Sequence, residues 1–311
     1  MSHPPSLSRP GLAILLKICA IGFFSVMAAL VKATSDEIPP GQAVFFRSAF
    51  AIPVILIWLA IRQELRDGLI TRNPRSHVMR GLLGTCAMGL TFSGLGLLPL
   101  PEVTAIGFAT PIFTVLLAAL MLGERIRLIR ISAVAIGLLG VLIMLWPRLG
   151  GSDLERGAAL GAVFILIATL MRAFVQIHVR QMVQTEHTAA IVFYFSLTAT
   201  VLSSLTIFFG WVVPEPQTFM LLMLAGVLGG CAQILVTSAY RFGGAGMLAP
   251  YDYTSMIFAI MIGYVWFAEL PTLVMMAGAA LVIAGNILVI WREHQLGLER
   301  SKARSVSDPK A

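Results

Sequence analysis

The apolar positions of this chain fall in continuous runs rather than in alternation. Ten runs of about 20 residues each have the length an α-helix needs to cross a bilayer. They cover 11–31, 41–61, 77–97, 101–122, 128–146, 157–178, 188–211, 217–239, 246–267 and 272–291. The breaks between them carry Pro, Gly or charge, as in Ile38-Pro39-Pro40-Gly41, Arg72-Asn73-Pro74-Arg75, Pro99-Leu100-Pro101-Glu102, Trp146-Pro147, Pro214-Glu215-Pro216 and Phe242-Gly243-Gly244. Barrel strands would alternate in polarity, so the pattern predicts an all-α integral membrane protein with ten transmembrane helices. The run from Gly11 to Val31 exceeds the core of about 7–15 residues typical of a signal peptide, and it reads as a retained first span.

The two halves repeat. Gly81-Leu-Leu-Gly-Thr-Cys-Ala-Met-Gly-Leu-Thr-Phe-Ser93 matches Gly226-Val-Leu-Gly-Gly-Cys-Ala-Gln-Ile-Leu-Val-Thr-Ser238 at seven of thirteen positions. The same offset of 145 pairs Glu124 with Glu269, Gly140 with Gly285 and Trp146 with Trp291. Five helices per repeat is an odd number, so the second half enters the membrane inverted, a hallmark of secondary transporters with a site near the midplane. The expected organisation is a tail at 1–10, a five-helix repeat at 11–146, an inverted repeat at 157–291 and a tail at 292–311.

Composition agrees with a membrane chain. Of 311 residues, 58% are hydrophobic and 12% charged, about half the charge of a soluble domain. The net charge of +7 does not gather into a nucleic-acid face. With the N-terminus inside, sixteen of the 22 Lys and Arg residues fall in inside segments: Arg9, five from Arg62 to Arg80, three from Arg125 to Arg130, Arg180, Arg241 and five from Arg292 to Lys310. Only Lys32, Arg148 and Arg156 fall outside, and Lys17, Arg47 and Arg172 lie within spans. The positive-inside rule then places both termini in the cytoplasm, in a cytoplasmic (inner) membrane. Cys19, Cys86 and Cys231 sit inside apolar runs, offer neither disulfide framework nor zinc spacing, and read as small packing residues.

Ten spans in two five-helix repeats, Phe45-Phe46-Arg47-Ser48 early in span 2, Pro111 within span 4 and Gly123-Glu124-Arg125 at its end together resemble the drug/metabolite transporter superfamily, EamA type. The resemblance covers about 11–291 and implies a basket-like bundle that moves amino acids or related metabolites by alternating access. Span 9 departs from the first repeat: it reads Ala249-Pro250-Tyr251-Asp252-Tyr253-Thr254-Ser255 where span 4 has Ala105-Ile106-Gly107-Phe108.

Charges inside spans cost about 2.5–3.5 kcal/mol each on insertion scales and need a reason. Lys17 on span 1, Arg172 on span 6 and Asp252 on span 9 share one level, roughly 9 Å from the cytoplasmic edge at 1.5 Å per residue. A cavity holding Asp252 beside a cation suits a zwitterion or a coupling proton. Arg172 is the first candidate partner of Asp252 and Lys17 the second. The competing reading has Lys17 and Arg172 snorkelling to headgroups. Tyr251 and Tyr253 flank Asp252, and Gln176, Gln233, Thr91 and Phe92 lie within spans as further candidates to line the substrate path. Helix-helix contact explains such amides and hydroxyls equally well. Arg47, Pro111, Glu124 and Glu269 read as structural, the two glutamates because carboxylates favour helix N-termini. Gly157 and Gly161, with Gly81, Gly84, Gly226 and Gly229, read as close-packing positions.

The five histidines lie in tails or at span edges. No nucleophile–base set, metal-ligand cluster or Walker motif appears, so no enzyme activity, cofactor or metal is expected. The sequence points to a secondary transporter of small metabolites, with amino-acid export first and import of a larger aromatic or cationic metabolite second; a structural membrane protein ranks below both. The expected partners are a small-molecule substrate, the lipid bilayer and a proton as candidate coupling ion, in a monomer or weak homo-oligomer.

Overall fold

A computed structural model describes residues 10–65, 67–122, 128–148, 153–243 and 245–288. The expected tails, Glu124 and Trp291 lie outside these residues. The helices in chain order are α1 (Pro10–Ala33), α2 (Pro40–Ile61), α3 (Pro74–Leu97), α4 (Leu100–Gly107), α5 (Thr110–Leu122), α6 (Leu128–Leu145), α7 (Asp153–Met182), α8 (Thr188–Ser204), α9 (Pro216–Phe242), α10 (Ala245–Leu248), α11 (Thr254–Phe267) and α12 (Leu273–Leu288). The punctuation of the sequence sets where they start. Pro40, Pro74, Pro101 and Pro216 occupy first-turn positions, where the missing N–H costs nothing and the fixed φ suits the helix.

The ten apolar runs become ten helical crossings, but the fourth and ninth are broken. Span 4 divides into α4 and α5, and span 9 into α10, a 3-10 turn over Ala249–Tyr253, and α11. With the offset of 145, the break after Gly107 corresponds to the turn around Asp252. Packing obeys the same symmetry. α1 lies against α9 and α3 against α7, and each contact is the repeat image of the other. Spans 2 and 7 meet as α2 and α8, and the two broken spans meet through α4 and α11. The halves therefore interlock about a pseudo-twofold axis.

In lipid, close packing and satisfied polar groups hold helices together, because the solvent is as apolar as the side chains. A β-carbon on Gly140 of α6 would stand 2.6 Å from the Gly278 carbonyl of α12, so only glycine admits this approach. Gly161 likewise seats against Leu97 of α3. Gly157 has nothing within 4 Å, so this expected packing position is in fact open. The exterior is apolar, with Phe208, Phe209, Val213 and Val265 nearly fully exposed. Cys19 and Cys86 also face outward rather than packing inside, since their helices turn other residues to the bundle.

One clamp joins the α2–α3 connection to the α7–α8 connection. Glu186 Oε1 accepts the backbone N–H groups of Arg72 (3.1 Å) and Asn73 (3.0 Å), while Oε2 lies 3.3 Å from His77 Nε2. Burial alone would raise the Glu186 carboxyl, but hydrogen bonds from His77, the Arg72 N–H and Thr71 outweigh it and hold the group below its ordinary value. A depressed folded-state pKa stabilises the fold above the ordinary carboxylate range and loses that contribution as pH falls through the folded value. Unfolding of detergent-solubilised protein should therefore show Glu186→Gln less stable by about 2 kcal/mol near neutrality. The gap to the native chain should close as pH drops below about 4. A gap that stays constant with pH would show that the charge of Glu186 contributes nothing.

Candidate functional site

At the break of span 4, Pro111 has no N–H to give the Gly107 carbonyl, whereas at the turn of span 9 the Thr254 N–H still reaches the Tyr251 and Asp252 carbonyls. Hydroxyls one turn on add a donor at both. Thr110 Oγ1 donates to Gly107 O (2.8 Å), and Ser255 Oγ donates to Asp252 O (2.6 Å). These four residues are repeat mates at the offset of 145, so both halves solve the same problem with the same bond. Asn286 of α12, fully buried, adds a bond from Nδ2 to Phe108 O (2.7 Å), and Thr254 Oγ1 donates to Tyr251 O (2.7 Å). Phe108 and Tyr253, also mates, meet edge to face across the pseudo-axis at 5.2 Å. Pro111 stands in the first turn of α5, where its ring follows the break instead of kinking a continuous helix.

Between the halves lies a cavity of about 510 Å³, in the range of small-molecule sites. Its wall includes Thr91, Phe92, Gly107, Phe108, Pro111, Arg172, Gln176, Gln233, Tyr240, Asp252 and Tyr253, together with Arg47, Arg80 and Phe195. Tyr251 is not part of the wall; of the two tyrosines flanking Asp252, Tyr253 is the one turned to the cavity. Thr91 Oγ1 is bonded to Ala87 O (2.7 Å), which leaves its hydroxyl an acceptor toward the cavity.

Lys17 is the partner of Asp252. Its Nζ lies 2.7 Å from Asp252 Oδ1 and donates to the Tyr240 hydroxyl (3.2 Å), which also accepts from Gln176 Nε2 (3.3 Å). The Lys17 side chain is 5% exposed, so it pairs inside the bundle and does not snorkel. This corrects the ranking that put Arg172 first. Shared depth fixes a level along the bundle axis but not a position around it: α1 packs on α11, whereas α7 packs on α4 and α5. Arg172 accordingly stands over the other break. Its Nη2 donates to Thr169 Oγ1 (3.0 Å), and its buried Nε has no hydrogen-bond partner.

Arg47 and Arg80 share the ring of Phe195, at 5.6 and 4.0 Å from its centroid. Arg47 donates weakly to Gly229 O (3.4 Å), and its Nε and Nη1 have no partner; Arg80 Nε also has none. Both residues are nearly fully buried. Arg80 was not among the expected site residues because three residues inside a span edge it counts as loop charge. The one sequence signal is its place immediately before the repeated segment that opens at Gly81 of α3.

A second ion pair lies beside the end of the cavity lined by Leu95 and Leu100. Lys32 Nζ lies 3.1 Å from Glu269 Oε1 and donates to Leu95 O (3.2 Å) and Leu98 O (2.7 Å), over the ring of Phe267. Glu269 Oε2 accepts the Leu100 N–H (2.8 Å) at the start of α4. Glu269 thus serves a helix N-terminus as expected, but one belonging to the other repeat.

Comparison with known proteins agrees with this architecture. The signature of the EamA-like transporter family matches residues 11–146 and 159–291. The chain is 31% identical over 278 residues to the pseudopaline exporter of Pseudomonas aeruginosa, covering 89% of this chain and 93% of that protein. It is 26% identical over 269 residues to the S-adenosylmethionine uptake transporter of Rickettsia prowazekii, covering 86% and 89%. A solved crystal structure superposes with a TM-score of 0.64 at 20% identity, covering 91% of this chain and 98% of that one, and shares its fold.

The pairing geometry gives a direct test. Lys17→Met and Asp252→Asn each strand one charge, a loss of about 3–5 kcal/mol for a fully buried pair. Because the Asp252 side chain is 38% exposed, about 1–2 kcal/mol is expected for each. Unfolding of the double variant should cost at least about 1 kcal/mol less than the sum of the singles. The same cycle with Arg172→Gln and Asp252→Asn should be additive. The reverse outcome would restore Arg172 as the partner.

Proposed function

This chain belongs to the EamA-like transporter family, and we propose that it exports amino acids or close amino-acid derivatives across the cytoplasmic membrane by alternating access. It is a multi-pass membrane transporter of a small-molecule substrate. The observation that supports an amino-acid-type cargo is the cavity wall itself, where the Arg172 guanidinium, with its Nε unpartnered, and the Asp252 carboxylate stand in one apolar chamber. A carboxylate cargo finds the former and an ammonium or a proton competes with Lys17 for the latter. Export follows the Pseudomonas relative. Alternating access suits a chamber that has the Lys32–Glu269 pair beside one end and Arg80, Val179 and Val183 along its wall.

A second reading is uptake of a larger cationic or nucleoside-derived metabolite, favoured by the Rickettsia relatives. Flux of labelled amino acids and of S-adenosylmethionine through proteoliposomes, with and without a proton gradient, separates the two. Amino acids should move, and Asp252→Asn should slow them at least tenfold at matched protein content. Movement of S-adenosylmethionine alone would replace the first reading with the second.

The orientation behind export rests on the sixteen-to-three distribution of basic residues, which puts both termini and the α2–α3 connection in the cytoplasm. In a cysteine-free background, a membrane-impermeant maleimide added to intact cells should leave Ser76→Cys unlabelled and label Gly151→Cys. Efficient labelling at position 76 would invert the orientation.

A further inference from the structure

Each of the two chain breaks faces a cation, and only one of the breaks carries a carboxylate; the cations themselves are not repeat mates, since the offset of 145 pairs Lys17 with Ala162 and Arg172 with Met27. On one side, Lys17 of span 1 reaches across to Asp252 in the break of span 9 (2.7 Å). On the other, Arg172 of span 6 reaches across to the break of span 4, where the repeat mate of Asp252 is Gly107. A β-carbon at position 107 would lie 3.6 Å from Arg172 Nη2 and 4.0 Å from Nη1, with nothing else within 4 Å. The place of the missing carboxylate is therefore empty space in contact with a guanidinium, and it opens on the cavity. Arg47 and Arg80 add two more guanidiniums on the same wall, with buried N–H groups that have no acceptor. Among the described residues, Asp252 is the one carboxylate of that wall, and Lys17 already neutralises it.

Resting on the transport reading above, we infer that the substrate carries at least two carboxylates. One docks on Arg172 in the space left at Gly107, as Asp252 docks on Lys17. A second is held by Arg47 and Arg80 beside Phe195. Guanidinium–carboxylate bonds are charge-assisted and forked, so each added carboxylate has a matched receiver. The cargo is an anionic amino-acid derivative rather than a simple neutral zwitterion.

Binding of alanine, glutamate and γ-carboxyglutamate to the purified full chain in nanodiscs tests this, since the three differ in carboxylate number. Affinity should rise at least tenfold from alanine to glutamate, and γ-carboxyglutamate should bind at least as tightly as glutamate. Arg172→Gln should abolish the step from alanine to glutamate and Arg172→Lys retain part of it. Gly107→Asp supplies the missing carboxylate in place, so it should weaken glutamate binding at least tenfold while leaving the unfolding temperature equal or higher. Gly107→Asn, equal in size and uncharged, should weaken it less. Equal affinity for all three ligands, or equal effects of Asp and Asn at position 107, would overturn the inference. If alanine also moves through proteoliposomes as fast as glutamate, amino-acid transport stands and the carboxylate requirement falls. Graded binding without flux upholds the site and overturns the transport reading.

Discussion

Everything in this bundle follows from the lack of water around its middle. A peptide carbonyl or a guanidinium there must find a partner in the protein, because an unsatisfied polar group in such surroundings costs several kcal/mol. Among the described residues the other spans stay helical throughout, although α2 carries Pro53 in its interior. Spans 4 and 9 break, and Thr110, Asn286, Thr254 and Ser255 supply side-chain donors to carbonyls at the breaks. Those donors are what allow irregular backbone at the depth where a cargo must be handled. The cavity is the consequence, since two short helices ending near the axis cannot fill the volume that continuous ones would.

The repeat explains both what is shared and what differs. Thr110 with Ser255, and Phe108 with Tyr253, keep the chemistry of the break identical in each half, as expected for elements inherited from one ancestral unit. Gly107 and Asp252 do not match. The cations beside them are not repeat mates either: the offset of 145 pairs Lys17 with Ala162 and Arg172 with Met27. One break holds a complete ion pair within the chain, and the other sets a guanidinium beside a glycine. That asymmetry gives the chamber a net positive wall, and in a low-dielectric site the sign of the wall selects cargo more strongly than its shape does.

Much of this is written in the amino-acid sequence itself. Ten runs, the five-plus-five division and the inversion follow from apolar length, from segments such as Gly81–Ser93 against Gly226–Ser238, and from arithmetic on an odd helix count. Lys17, Arg172 and Asp252 stand out because charge in an apolar run is costly, and the structure brings all three to the chamber or its wall. What the sequence does not carry is angular position. Depth can be counted at 1.5 Å per residue, but which helix faces which depends on packing between segments more than a hundred residues apart. Hence the pairing of Asp252 with Lys17 rather than Arg172, and the choice of Tyr253 over Tyr251 at the wall. Arg80 was invisible for another reason: near a span edge, a charge that points inward and one that points to solvent look the same. Asn286 gives no sign at all, because the carbonyl it serves belongs to a break that apolar runs do not reveal.

The three arginines raise the question of how the fold tolerates them. None has an ion-pair partner among the described residues, and an isolated charge fully removed from water would cost far more than a fold can bear. Two features lower that cost. The Phe195 ring presents its negative face to both Arg47 and Arg80, an interaction of about 0.5–2 kcal/mol for each when desolvated. The cavity itself, at about 510 Å³, has room and polar groups enough to hold water against the outward-facing N–H groups. What remains is electrostatic strain in the empty state that an anion relieves. A carrier built this way binds its cargo partly by discharging that strain. The chamber's affinity then depends on how dry it is. In a lower dielectric the guanidiniums hold an anion more tightly; once water enters, screening weakens the same contacts and favours release.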